Sequence, residues 1–140
     1  MANREKKVLI SGYIGFQNFG DDVLLDVLVK HLKEKNCKIT ALSSNPENTK
    51  ENFQIASIPY KNPFQILKGL LNTDILISGG GNLIQNKTST LSLLYYCFII
   101  ILAKLFFKKV IIYSQGIGPI NGKFQNFIAK IALKCADMIT

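Results

Sequence analysis

The sequence is short of the residues that usually carry metal or nucleophilic chemistry. Its only histidine, His31, falls late in a helical stretch among lysines and reads as a surface residue near a helix end. Three cysteines, Cys37, Cys97 and Cys135, are odd in number, far apart and without a CxxC pair. That excludes a disulfide framework and a zinc site, so no metal is expected. Cys97 lies in an apolar run and reads as a small buried hydrophobe, and unpaired thiols suit a reduced cytoplasm. No GxSxG, HExxH or His/Cys cluster is present. Low-complexity tracts and internal repeats are also missing. The start of the chain, Met1 to Lys7, is basic, but the apolar stretch after it is short and gives way at once to polar residues, so it reads as a strand and not as a signal peptide. Acidic residues are scarce: nine Asp and Glu face 17 Lys and Arg, a formal charge of +8. No run of five basic residues and no aromatic–basic interleave occurs, so nothing supports nucleic-acid binding. The scattered lysines read as solvated faces, with an anionic partner such as a phospholipid surface or a phosphorylated substrate as the alternative.

What is present is an alternation. Lys7–Ser11, Lys38–Leu42, Phe53–Ile58, Thr73–Ser78 and Lys109–Ser114 are short, mostly continuous apolar runs, and Asp137–Thr140 starts another. Helical patterns separate them. Val23, Leu24, Val27, Leu28 and Leu32 recur at helical spacing behind Asp21 and Asp22; Ser43–Asn52 reads as loop with a short helical piece; Pro63 opens a third pattern; Lys123–Lys134 is amphipathic. Continuous apolar strands alternating with helices predict one α/β domain over residues 1–140, a parallel sheet covered on both faces. Leu91–Phe107 is apolar nearly all round and interrupted by Lys104. It reads as a buried helix of that sheet; peripheral membrane contact and a true span, which usually needs ~20 residues, are the alternatives.

Ligands of parallel sheets sit beyond the carboxyl ends of strands, and three glycine-rich segments fall there. The first contains Gly12, Gly15, Asn18, Gly20, Asp21 and Asp22. Its spacing matches neither GxGxxG nor a P-loop, and two acids at a helix start oppose a bound phosphate. Asp21 is expected either to cap the helix or to meet a ligand; Asn18 either to hold a left-handed turn or to bind. The second contains Gly79, Gly80, Gly81 and Asn82, expected either to make a tight strand-to-helix turn or to form a nest-like backbone that holds an anion or sugar oxygens. The third contains Gln115, Gly116 and Gly118, followed by Pro119, expected either to bind a ligand or to form a purely structural corner.

Together, the segments KVLISGYIGFQNFGDD, DILISGGGNLIQNKTSTLSLLYY and KKVIIYSQGIGPI resemble, in order and spacing, the N-terminal half of the polysaccharide pyruvyl transferase family, nearest to bacterial enzymes acting on cell-wall or S-layer-anchoring polysaccharides. The resemblance implies a Rossmann-like domain similar to the N-terminal domain of a GT-B-type glycosyltransferase. It implies transfer of pyruvate from phosphoenolpyruvate, as co-substrate and without other cofactor, to a sugar or lipid-linked saccharide as a ketal. The unpaired thiols add a cytoplasmic location as an expectation, peripheral at the inner face of the membrane on the alternative reading of Leu91–Phe107. By the resemblance, the first loop, the triple glycine with Asn82, and Gln115, Gly116 and Gly118 bind substrate, and Asp21 is the catalytic candidate, as base toward an acceptor hydroxyl. The only arginine is Arg4, so the cations for carboxylate and phosphate are expected in a C-terminal domain absent from this chain. That predicts an acceptor-side domain inactive alone, completed by a second domain or through homo-oligomerisation. A non-catalytic sugar- or lipid-linked-sugar-binding module and half of a split enzyme remain the alternatives.

Overall fold

The computed structural model describes residues 5–79, 90–113 and 120–139. Six strands form one parallel sheet: β1 (Lys6–Ser11), β2 (Cys37–Ser43), β3 (Ala56–Pro59), β4 (Ile75–Gly79), β5 (Lys109–Tyr113) and β6 (Met138–Ile139). Their order is β3-β2-β1-β4-β5-β6. The chain builds outward from β1 in one direction, then returns to start again at β4. Because parallel crossovers are right-handed, that reversal puts the connecting helices of the two halves on opposite faces. Helices α1 (Phe19–Glu34) and α2 (Pro46–Phe53) cover one face; α3 (Pro63–Leu71), α4 (Thr90–Leu105) and α5 (Lys123–Cys135) cover the other.

Alternation along each strand supplies both cores. In β1, Val8 and Ile10 pack with Leu25, Leu28 and Val29 of α1, while Leu9 points the other way to Leu70 of α3 and the inner side of α4. The inner stripe of α4 is Leu93, Cys97, Ile100 and Ala103, each fully buried. Burying one Leu- or Ile-sized side chain is worth about 1.5–3 kcal/mol, so this stripe accounts for the apolar run that the sequence shows. The run is not a membrane span: among the described residues no helix is long and apolar enough to cross one. Burial also pushes the Cys97 thiol up to about 11, as fits an inert core residue.

Three boundaries differ from the sequence pattern. The third strand starts at Ala56 and not at Phe53, because α2 runs through Phe53 and Gln54 ends it in a left-handed conformation, φ 53°. The first helix starts at Phe19, ahead of the acidic pair. The long helix stops at Leu105, and Phe107 turns the chain back with φ 61°.

Candidate functional site

The carboxyl ends of β1 and β4 lie side by side where the strand order reverses, the place where open parallel sheets form a crevice. The chain leaves β1 through Gly12. A Cβ there would lie 2.5 Å from the carbonyl oxygen of Gly79, the last residue of β4, so no side chain fits between the two strand ends. Gly15, at φ +87°, sits where a side chain would run into Ser43 and Ser44, and the Ser44 N–H donates to the Ile14 carbonyl at 3.0 Å. Packing of the loop on the β2–α2 turn thus accounts for Gly15. Gly20 lies exposed in the first turn of α1, with only Asn18 Oδ1 near its missing side chain, at 3.5 Å.

Asn18, not Asp21, caps α1. Its Oδ1 accepts the Asp21 N–H at 3.2 Å, and its carbonyl accepts the Asp22 N–H at 2.9 Å. The left-handed residue is Gln17, φ 60°, which leaves Asn18 in the extended conformation of an N-cap. Asp21 is therefore free of capping duty. Burial, and then the charge of Asp22, hold its carboxyl above the usual carboxylate range. It faces a narrow crevice with Tyr13, Gly79 and Tyr113, of about 10 Å³, the room of a single water.

A wider cleft of about 490 Å³ opens on the other side of Tyr13, lined also by Phe16, Tyr60, Lys61, Tyr95 and Tyr96. Its aromatic rings form a ladder. Tyr13 and Phe16 stack with centroids 4.0 Å apart, Phe16 meets Tyr60 edge-on at 5.5 Å, and Tyr60 meets Tyr95 at 5.8 Å. Lys61 Nζ lies 5.4 Å from the Tyr60 ring centre. The Tyr95 hydroxyl donates to the Tyr60 carbonyl at 2.7 Å, and the Tyr96 hydroxyl to the Gly12 carbonyl at 3.4 Å. Burial above all pushes Tyr96 up to about 12, with Tyr60, Tyr13 and Asp21 adding to the effect. Tyr95 is raised further, again chiefly by burial. Both phenols stay neutral at physiological pH and hold three chain segments together.

One further group lies here. Ser11, at the end of β1, is buried, and among the described residues its hydroxyl has no hydrogen-bond partner. It pairs in register with Ser78 of β4. A buried orphan hydroxyl at a strand end beside a crevice marks a position for a ligand or a water. Neither Ser11 nor the ladder was legible in the sequence, since the ladder joins three segments distant in the chain. Of the expected site residues, Gly12, Gly15, Asn18, Gly20, Asp21, Asp22 and Gly79 cluster at this end of the sheet. Gly80, Gly81, Asn82, Gln115, Gly116 and Gly118 lie outside the described residues.

The family profile described as polysaccharide pyruvyl transferase matches residues 18–140. The chain belongs to the polysaccharide pyruvyl transferase family. No curated protein sequence matches it. Among solved structures, an α-glucosyltransferase in complex with UDP and a 13-mer DNA containing an HMU base is similar, with a TM-score of 0.58 at 15% identity. The match covers 97% of this chain and 37% of that one, so this member of the pyruvyl transferase family spans a little over a third of the glycosyltransferase's length. A homoserine dehydrogenase from Thiobacillus denitrificans is also similar, at a TM-score of 0.47 and 15% identity, covering 98% of this chain and 30% of that one. The six-stranded sheet of this pyruvyl transferase family member is thus α/β, of the type found in a GT-B glycosyltransferase.

Proposed function

We propose that the chain forms the acceptor-side wall of a pyruvyl-transfer cleft. In the reaction the pyruvyl carbon of phosphoenolpyruvate becomes bonded to two hydroxyl oxygens of a saccharide as a ketal. The two hydroxyls lose their protons, one proton reaches the enol methylene to make a methyl group, and the other leaves with the phosphate. The observation that carries the assignment to the acceptor side is the aromatic ladder beside Asp21. Saccharide rings present a face of C–H groups that packs on aromatic faces, and the edges of the cleft offer polar groups for the hydroxyls. Among the described residues Lys61 is the cation lining this cleft, too little for a substrate bearing both carboxylate and phosphate, and the acids at the start of α1 repel it further.

Within this arrangement Asp21 takes the proton from an attacking hydroxyl. Its raised pKa, set first by burial and then by the charge of Asp22, makes it a better proton acceptor than an ordinary surface carboxylate. Asp22, the neighbouring charge, sustains that shift. The Ser11 hydroxyl and the backbone around Gly12 and Gly79 fix the orientation of the saccharide. Gly80, Gly81, Asn82, Gln115, Gly116 and Gly118 stay candidates for substrate binding, and the donor's anionic groups are left to the cations of a second domain.

Phosphate release from phosphoenolpyruvate, measured with soluble and lipid-linked saccharide acceptors, tests this in a polypeptide that carries residues 1–140 together with a following domain. Asp21→Asn is expected to lower kcat by roughly 100-fold or more, the usual share of one general base, while saccharide binding stays within a few-fold. An unchanged kcat removes the role of Asp21. Saccharide binding without any phosphate release, under every acceptor that binds, favours a non-catalytic sugar-binding module.

A further inference from the structure

The two faces of the sheet carry very different charge. On one face, α1 holds Asp21, Asp22, Asp26 and Glu34, and α2 holds Glu47 and Glu51. On the other, α3, α4 and α5 contain no carboxylate at all. From residue 52 onward the sequence has nine lysines and two carboxylates, Asp74 and Asp137. Asp74 sits at the start of β4, where its carboxylate accepts the Lys7 N–H, away from the helix faces.

Asp137 reaches the face of α3, α4 and α5 only at its edge, where its carboxylate pairs with Lys104 Nζ of α4 at 2.7 Å, and the face exposes large apolar side chains. Phe64 in the first turn of α3 is 83% exposed; along α4, Leu91, Phe98 and Leu105 are 80%, 61% and 67% exposed, and Phe107 just beyond is 94% exposed. The residues of α4 recur at i, i+7 and i+14, a single stripe opposite the buried one. Helices α3 and α4 lie side by side: Tyr60, Pro63 and Ile66 line one groove with Tyr95, Phe98 and Leu102, and Lys108 Nζ donates to the Leu71 carbonyl at 3.3 Å. Lys61, Lys68 and Lys108 border the apolar surface.

We propose that the α3–α4 face docks on an anionic lipid bilayer. Exposed Phe and Leu side chains framed by lysines, with no carboxylate on α3 or α4 to repel a headgroup, complement a surface that is negative outside and apolar beneath. A second copy of the chain fits less well, because a self-paired α3–α4 face would bring Lys61, Lys68 and Lys108 against their like without any acid in between. Tyr60, Lys61 and Tyr95 line both the apolar groove and the wider cleft. A saccharide carried on a lipid in that bilayer thus has a continuous path from the membrane to the ladder. This last point rests on the proposed function, whereas docking itself does not.

Sedimentation with vesicles tests docking without any acceptor or donor present. The chain is expected to sediment with phosphatidylcholine vesicles that contain phosphatidylglycerol and to stay in solution with phosphatidylcholine alone. Each Lys→Gln change at Lys61, Lys68 or Lys108 should lower partitioning about fivefold, from about 1 kcal/mol per lysine near such a surface. The exposed pair Phe64→Ser with Phe98→Ser should lower it at least tenfold, with an unchanged circular dichroism spectrum showing that the fold is kept. Equal sedimentation with both vesicle types, none with either, or full retention in the phenylalanine variant overturns the proposal. So does a dimer in buffer that the phenylalanine variant abolishes, which would assign the face to a second copy.

Discussion

Asn18 and Asp21 divide the work at the start of α1 in a way that the acidic pair conceals. In the sequence, two aspartates before an apolar periodic run look like the cap. The left-handed Gln17 moves the helix start back to Phe19 and hands the capping bond to Asn18. Asn18→Ala is expected to cost about 1 kcal/mol in chemical denaturation, the usual loss for an N-cap, whereas Asp21→Ala removes no cap. Asp21 instead carries a stability cost. Because its folded pKa is raised, the folded protein holds that proton more tightly than the unfolded chain does. Ionisation therefore destabilises the fold, starting above the ordinary value of 3.8 and in full once pH passes the raised value. Asp21→Asn should raise Tm at neutral pH and leave it unchanged below the ordinary carboxylate range. A thermal melt series against pH reads this directly, and a lower Tm at neutral pH would show Asp21 to be structural. Such a cost at a candidate catalytic group is what a site tuned for proton transfer leads one to expect.

At the scale of elements, the alternation of strands and helices was legible because each strand is an apolar run and each helix shows its own period. The exact starts of α1 and β3 were not, since they depend on single left-handed residues, Gln17 and Gln54, that no pattern flags. The close approach of β1 and β4 belongs to this scale too. Gly12→Ala would force its Cβ against the Gly79 carbonyl and pry the strand ends apart; the expected result is a loss of several kcal/mol or a shifted loop, like other strained overpacked positions. At the far end of the sheet, Asp137 joins three elements. Its carboxylate accepts Lys104 Nζ at 2.7 Å and the Val110 N–H at 2.8 Å, tying α4 and β5 to the start of β6. These bonds, the one from Lys104 first, hold its carboxyl below the ordinary range. Here the sign is opposite to that of Asp21: the stabilisation is present above the usual carboxylate pKa and is lost as pH falls through the lowered value. Asp137→Asn should speed amide exchange in β5 and β6 at neutral pH, and a matching rate in wild type and variant would remove the clamp.

On the scale of the molecule, the sheet is covered unequally. Among the described residues only α1 and α2 lie on their face, where Ile75, Ile111 and Tyr113 remain half-buried, and Met138 and Ile139 are about half exposed, at 49% and 53%. An apolar strip of that kind invites another surface. If the proposed division of acceptor and donor sides holds, residues 1–140 alone should release no phosphate from phosphoenolpyruvate, and fusion to a donor-binding domain should restore release. Turnover by the isolated chain would overturn this reading. The family and the sheet were readable from the three glycine-rich segments, which are contiguous. The aromatic cleft was not, because it is assembled by topology from the β1 loop, the end of β3 and the start of α4.

That cleft also has an optical consequence. The protein has five tyrosines and no tryptophan, and Tyr13, Tyr60, Tyr95, Tyr96 and Tyr113 all line the two adjoining crevices at the carboxyl end of the sheet. Ultraviolet-excited emission from the unlabelled chain therefore arises almost wholly within the candidate site. A saccharide settling on the ladder would change that signal with no contribution from elsewhere to dilute it, so the protein carries its own binding probe.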